Sequence, residues 1–319
     1  MRATNTILGQ HFTIAGQLHF TFPRMMMSLF IMSYMVADGV LISRYMGTVA
    51  LASLNMIFPL AIFLGAVGIM LSAGGGSVVS RRMGAGDSLG ADRALSTLVY
   101  AECVFGTVVG LLGILLLDPL LGFLNVNEEQ YAFAYDYQIV WLLFMPCFLL
   151  SVLAQTFFTV AGYPKLGLAV SVASGLTNVV LDILFMGPLQ WGMYGAALAT
   201  VISWIVAAAA GALFFCRSKA PIRIILTRPD WDALKGACTS GFSEMVGSLS
   251  SSVTLYLFNA AFMYWLGVDG VAALTIASYS TYVFNAIFYG FCEATGPILG
   301  YKYGEQNWPE LAQVFKNSL

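Results

Sequence analysis

Charged side chains are scarce in this sequence. Only 9% of its 319 residues are Asp, Glu, Lys or Arg, whereas 59% are hydrophobic and the mean hydropathy is +0.81. Soluble globular domains carry about 25% charged residues. Fourteen basic and sixteen acidic side chains cannot cover the surface of a 34.4 kDa protein in water. We therefore infer that the solvent around this chain is mostly lipid.

Several kinds of functional site are also missing. The net charge is −2, with no basic excess of the kind that binds nucleic acid. The five cysteines are odd in number and show no C-x-x-C spacing, so we expect free thiols rather than disulfides or metal ligands. No nucleophile–base set, metal cluster or nucleotide-binding motif is present. The sequence therefore does not predict an enzyme or a bound organic cofactor.

Long apolar stretches take the place of these features. Each of eight stretches is long enough to cross the hydrocarbon core, which takes about 20 residues of helix. They are too continuous for the alternating strands of an outer-membrane barrel. The sequence thus predicts an all-α, polytopic membrane protein. The stretches lie at residues 20–43, 48–73, 94–117, 137–160, 166–186, 193–215, 240–265 and 270–300.

The basic residues indicate how these spans are oriented, because Lys and Arg accumulate in cytoplasmic loops. With a cytoplasmic N-terminus, all of the 14 basic residues except Arg44 fall on the inner side. We therefore predict a multi-pass protein of the cell membrane, with a cytoplasmic N-terminus and the lipid bilayer as its partner. The longest polar linker, Arg217–Lys235, then lies inside, between the sixth and seventh spans.

A weak internal repeat has a period of 220 residues. The shift superposes the first span on the seventh in the same orientation, which is typical of transporters built from parallel repeats. We predict a six-helix lobe at residues 1–216, a cytoplasmic linker at 217–239, and the first two helices of an incomplete second lobe at 240–319. The identities include the pairs Phe22 and Phe242, Gly47 and Gly267, Gly76 and Gly296, and Gly84 and Gly304.

Six segments spread over nearly the whole chain resemble the MATE (multidrug and toxic compound extrusion) family. Each is a run of Gly and Ala in an apolar helix, and the resemblance rests on their order and spacing. The sequence departs from the family by ending about four helices short, and by carrying Glu305 where the family often has a small residue. The segments are Val36–Pro59, Gly74–Asp87, Phe157–Leu168, Thr177–Met186, Gly192–Ser203 and Gly296–Asn307.

The resemblance implies two six-helix lobes around a central cavity. It also implies efflux of small amphipathic, often cationic compounds by antiport with H⁺ or Na⁺, with no other cofactor and no obligate protein partner. Two alternatives stay open: a lipid-linked saccharide flippase of the same superfamily, and a truncated fragment that does not transport. A flippase would be expected to line its cavity with basic residues that meet phosphates, and Arg24 is the one candidate.

Four polar residues fall at one depth inside the predicted spans: Asp38, Asn178, Asp182 and Thr200. At 1.5 Å per residue they lie roughly 6–12 Å below the outer boundary. Ionisable residues inside a span are costly and mark function unless a partner neutralises them. We predict that this all-oxygen set binds the coupling cation, and the MATE resemblance points to the same positions. The alternative is two acids near helix ends and a threonine bonded to its own backbone.

The inner halves of the spans hold four more charged residues: Arg24, Glu102, Glu244 and Glu293. We expect Arg24 to pair with one of the acids, since the pair would neutralise both charges. Glu293 has the least evident structural role and is a candidate for the substrate path.

Three prolines also lie inside predicted spans. A proline in a helix removes a backbone hydrogen bond and bends the chain. In a transporter such a bend can be a hinge, and it can equally be a fixed kink that helps packing. The predicted helix bends are at Pro23, Pro59 and Pro146.

Overall fold

The computed structural model describes residues 7–124, 128–217 and 220–319. Across these ranges the chain forms one short 3₁₀ turn and ten α-helices, without a β-strand, and the all-α prediction is confirmed. The helices are α1 Ile14–Met46, α2 Thr48–Gly84, α3 Ser88–Leu115, α4 Leu117–Phe123, α5 Glu128–Leu143, α6 Met145–Val160, α7 Pro164–Met186, α8 Gly192–Phe215, α9 Trp231–Gly304 and α10 Trp308–Asn317.

Five of these helices, α1, α2, α3, α7 and α8, are long and apolar enough to cross a membrane. A sixth span can be formed by α5 and α6 together, which meet at an angle of 62°. This bend falls next to Pro146, in the first turn of α6. Pro23 and Pro59 lie inside α1 and α2, which stay helical through them.

The segment after the predicted linker differs from expectation. Two helices were predicted at 240–265 and 270–300, but the structure is helical from Trp231 to Gly304. Both ends pack against the C-terminal half of α2, with Gly241 against Met70 and Gly304 against Arg81. A straight helix would hold these two ends about 95 Å apart at 1.5 Å per residue. The helical path therefore reverses between Gly241 and Gly304 without a non-helical loop.

The 220-residue repeat is visible in the turns that follow α2 and α9. Gly86 has a φ of +77°, and 220 positions later Gln306 has a φ of +58°, a left-handed conformation that is uncommon without glycine. Asp87 then caps α3 and Asn307 caps α10, each accepting a backbone N–H three residues along the chain. This recurrence supports the predicted division into two repeats, which stays a prediction.

The helices α2 and α9 cross with their backbones in contact. A Cβ added to Gly84 would lie 1.9 Å from the carbonyl oxygen of Tyr301, and one added to Gly304 would lie 1.9 Å from that of Arg81. Arg81 and Tyr301 are themselves 220 positions apart, so the two contacts are equivalent under the repeat. Glycine is needed here because only its lack of a side chain allows so close an approach.

We expect Gly84→Ala to destabilise the protein by about 1–3 kcal/mol, the usual cost of forcing extra atoms into a packed site. The matched control is Gly296→Ala in α9, where an added Cβ meets nothing within 4 Å. That variant should be neutral or slightly more stable, because alanine favours a helix more than glycine does. Thermal unfolding in detergent measures both, and equal stability of the two variants would contradict the tight crossing.

The segment between α8 and α9 is held against α3. The backbone N–H of Arg223 donates to Asp92 at 2.7 Å, and that of Ile225 donates to the Ser96 hydroxyl at 2.8 Å. Residues 223–230 form neither helix nor strand, so side chains of α3 accept hydrogen bonds from several of their backbone N–H groups. The predicted linker thus contains a strap, residues 223–230, that is bonded along α3.

This strap ends at Asp230, which begins α9. The Asp230 carboxylate accepts the N–H of Ala233 at 3.0 Å as a helix cap, and it accepts Arg82 at 2.6 Å. The bond from Arg82 holds the pKa of Asp230 below its usual value. Helix formation therefore starts at Trp231, nine residues before the predicted position.

Removing this cap should loosen the start of α9. Asp230→Ala should cost about 1 kcal/mol and speed hydrogen exchange in the strap and the first turn of α9. Asp230→Asn keeps a capping oxygen and loses only the ion pair, so its effect should be smaller. Because the folded pKa is lowered, the stabilisation is present above the unfolded pKa, about 3.9, and is lost as pH falls through the folded value.

Hydrogen-exchange mass spectrometry at neutral and acidic pH measures this effect. At neutral pH, hydrogen exchange in this segment should be fastest in the alanine variant, slower in the asparagine variant and slowest in the wild type. Identical exchange in all three proteins would show that Asp230 does not fix the start of the helix.

Candidate functional site

The four predicted cation-binding residues come together in the structure. Asp38 lies on α1, Asn178 and Asp182 on α7, and Thr200 on α8. Asp182 is fully buried and Asn178 almost so. The carboxyl groups of Asp38 and Asp182 are side by side, within hydrogen-bonding reach of each other. Asn178 and Asp182 share a face because they are one helical turn apart.

Close packing of α1 against α7 brings the two acids together. A Cβ added to Gly175 on α7 would lie 2.6 Å from the Phe30 ring and 2.9 Å from that of Tyr34. Tyr34 is one turn before Asp38 on α1, so this contact lies directly beside the acid. The glycine therefore permits the approach that the carboxyl pair requires.

Helix α8 is attached to the same part of α7. The Ser174 hydroxyl donates to the carbonyl oxygen of Ser203 at 2.7 Å, joining the two helices one turn below Asn178. At the site itself, the Asn178 amide donates to the Thr200 hydroxyl at 3.4 Å. Thr200 is thus in contact with Asn178, one helical turn from Asp182 on α7.

Tyr137 on α5 also faces this site and was not predicted from the sequence. Its side chain is buried, its hydroxyl shares a hydrogen bond with Thr200, and it is within range of the charges of Asp38 and Asp182. From the sequence alone, a tyrosine at the start of an apolar span fits an anchor at the membrane interface as well as it fits a site residue. Only the packing of α5 on α8 shows that it faces this site.

Several oxygen atoms of the site have no hydrogen-bond donor. Within the described residues these are Oδ1 of Asp38, both carboxyl oxygens of Asp182 and Oδ1 of Asn178. Buried acceptors without a donor are costly, and two ionised carboxylates in contact repel each other. A bound proton or a Na⁺ ion would relieve both problems, since hard cations favour oxygen ligands. The geometry therefore fits a small cation.

A second set of buried charges joins α1 to α9. Arg24 donates to Glu293 from Nε at 3.0 Å and from Nη2 at 2.5 Å, and its Nη1 donates to the carbonyl oxygen of Gln155 at 3.0 Å. The expectation that Arg24 pairs with one of the inner acids is confirmed. Glu293 has a structural partner, and its part in a substrate path stays a prediction.

The other two inner acids have neutral partners. Glu102 is completely buried and accepts the Ser72 hydroxyl at 2.8 Å. Glu244 accepts the Tyr289 hydroxyl, which lies on the same helix. Among the described residues, Oε2 of Glu102 and Oε2 of Glu310 also lack a donor, but each of those carboxylates is hydrogen-bonded through its other oxygen, whereas both oxygens of Asp182 lack a donor.

Comparison with known proteins gives a consistent result. The MatE family model matches residues 23–184. "Multidrug export protein MepA" of Staphylococcus saprophyticus is 26% identical over 290 residues, which cover 90% of this chain and 64% of that protein. The protein of the same name from Staphylococcus aureus is 23% identical over the same shares. The chain thus spans less than two thirds of the length of these relatives.

Solved structures share the fold. A MOP superfamily transporter from Pyrococcus furiosus superposes with a TM-score of 0.91 and 24% identity, over 100% of this chain and 70% of the other. A multidrug resistance MATE family transporter in an outward-facing conformation gives a TM-score of 0.91 and 24% identity, over 98% and 69%. At this identity the likeness concerns the fold.

Proposed function

This chain belongs to the MATE family, and we propose that it serves secondary active efflux of amphipathic, cationic drugs or toxic compounds. Efflux would be driven by antiport with H⁺ or Na⁺ across the cell membrane, with the N-terminus in the cytoplasm. The curated relatives are named as multidrug export proteins, which supports this substrate class. The match covers 64% of the length of the Staphylococcus saprophyticus relative, so the transport activity of the whole protein is part of the proposal.

The observation that carries the proposal is the contact between Asp38 and Asp182. Both acids are in the membrane, and in the described residues neither is paired with a basic side chain. Such a pair is stable only when a cation shares its charge, so it must take up a proton or Na⁺ when one is available. The titration belongs to the pair rather than to either residue.

Cation uptake can be transmitted through α1. Asp38 lies on this helix, whereas Asp182, Asn178 and Thr200 lie on the neighbouring α7 and α8. When the carboxylates are both ionised they repel, and when a cation is bound they can approach. Binding would therefore change how α1 packs on α7, and the resulting change in the cavity would release drug outward.

The flippase alternative is less well supported by the structure. A flippase needs free basic groups to meet the phosphates of its substrate. Arg24, the candidate, is engaged by Glu293 and by the Gln155 carbonyl. A non-transporting fragment remains the other alternative, and the activity measurements below distinguish it.

Removing either carboxylate should abolish coupled transport. We expect Asp38→Asn and Asp182→Asn each to lower gradient-driven efflux at least about tenfold, since a charged oxygen ligand of the cation is lost. The measurement is efflux and cation binding in proteoliposomes that contain the full-length protein. Asp87→Asn is the matched control, because asparagine also caps a helix well and the residue lies outside the site. Full efflux and unchanged cation binding in both site variants would make these acids structural.

Transport should depend on an ion gradient rather than on ATP. Cells that express the full-length protein should accumulate less of a lipophilic cation such as ethidium, and an uncoupler of the proton or sodium gradient should abolish the difference. The Asp38→Asn variant is the control for expression of an inactive protein. Resistance that survives collapse of both gradients, or ATP hydrolysis by the purified protein, would contradict secondary transport.

A further inference from the structure

The Arg24–Glu293 ion pair joins two parts of the chain that belong to different predicted lobes. Arg24 lies on α1 in the first lobe, and Glu293 lies near the end of α9 in the second. We propose that this pair is an inner lock: it holds the lobes together on the predicted cytoplasmic side and has to break before that side opens. The proposal rests on the transport function proposed above.

The geometry favours a lock rather than an incidental surface contact. Two donors of the Arg24 guanidinium reach the same oxygen of Glu293, and the side chains are only 8% and 16% exposed. The third contact, from Nη1 to the Gln155 carbonyl, fixes the guanidinium within the first lobe. Removing one partner of a buried ion pair leaves an uncompensated charge, so the closed state depends on both residues.

The backbones beneath the pair are in direct contact. A Cβ added to Gly290 would lie 2.8 Å from the Cα of Met25 and 3.0 Å from the carbonyl oxygen of Arg24. Gly290 is one helical turn before Glu293, so the glycine and the acid face α1 together. The ion pair therefore closes over a point where the two lobes already touch.

Other contacts lie at the same end of α9. The backbones of Gly84 and Gly304 cross there, and Lys302 donates from Nζ to the carbonyl oxygen of Gly9 at 2.9 Å. These contacts are neutral or use a backbone acceptor. His11 and Glu310 also pair across the predicted lobes, but the His11 side chain is exposed and carries a charge only when it is protonated. Arg24 is always charged, and its ion pair with Glu293 is mostly buried.

Helix α1 connects this lock to the cation site. Arg24 and Asp38 are 14 residues apart on one helix, about 21 Å at 1.5 Å per residue. Helix α1 packs against α7 on one side and α9 on the other. If the packing of Asp38 against α7 changes, α1 moves, and the same helix holds Arg24 against Glu293. Coupling of this kind needs an element with two arrangements, and α1 is placed to be that element.

The test measures the distance across the inner side directly. In the full-length protein with its own cysteines replaced, Lys165 and Ala312 are changed to cysteine and spin-labelled. Both positions are exposed, one in the first turn of α7 and one on α10. Pulsed electron paramagnetic resonance in proteoliposomes then gives the populations of short and long distances.

Wild type should show mainly the short distance. Arg24→Gln and Glu293→Gln should each shift the ratio of short to long distances by about tenfold or more towards long. Arg24→Lys keeps the charge and should stay mostly short, with a measurable long fraction. The matched control is Asp230→Asn, which removes the ion pair between Arg82 and the strap and should leave the distances unchanged.

Unchanged distances in folded Arg24→Gln and Glu293→Gln proteins would overturn the proposal. If these two variants do not fold, Arg24→Lys decides: a new long population supports the lock, and a wild-type distribution overturns it. The distance measurement does not require transport, so unchanged distances would refute the lock alone. Full transport by the Asp38→Asn variant would refute the proposed function instead.

Discussion

Inside a bilayer no water is available to a polar group, so each buried charge has to be neutralised by the protein itself. Glu102 meets this constraint with a hydroxyl from Ser72, and Glu293 meets it with the guanidinium of Arg24. Asp38 and Asp182 do not meet it, because their nearest charged neighbours are each other. The difference separates acids that stabilise the fold from acids whose charge is left for a mobile cation. Both the proposed coupling and the proposed lock follow from this difference.

Close approach of helices is the second requirement, since polar groups can pair across helices only if the backbones nearly touch. Gly175 brings α1 to α7 beside the carboxyl pair, and Gly290 brings α9 to α1 beside the ion pair. Gly84 and Gly304 do the same where α2 and α9 cross. The small residues are therefore placed next to the charged ones, and replacing a glycine would disturb a polar contact as well as the packing.

Much of this could be predicted from the sequence, because membrane spans have a strong signal of length and hydropathy. The depth of Asp38, Asn178, Asp182 and Thr200 followed from counting residues along the helices. The early start of α9 could not be predicted, since it depends on Arg82 and α3 holding the strap in place. The sequence predicts a break between two spans at residues 266–269, whereas the backbone stays helical there, and the residue types alone do not show that the chain reverses within a helix. Tyr137 was missed because its direction depends on how α5 is tilted against α8.

The repeat supports placing the proposed cation site in one of the two predicted lobes. Under the 220-residue shift Gly84 and Gly304 are equivalent, and so are the helix caps Asp87 and Asn307. The position equivalent to Asp38, however, is Phe258. The glycines and helix caps are therefore repeated, whereas the acid of the proposed cation site, Asp38, is not. Such a departure is expected where function overrides the rules of the fold.

Arg24 departs from the repeat in the same way, because its equivalent is Glu244, a residue of opposite charge. Glu293, the acid that pairs with Arg24, departs from the repeat as well, because its equivalent is Ala73. The ion pair is therefore formed once, with the arginine from one predicted lobe and the acid from the other, and the repeat does not supply a second copy. A cation bound in the first lobe then has a physical route to the second, through a single helix that carries both Asp38 and Arg24.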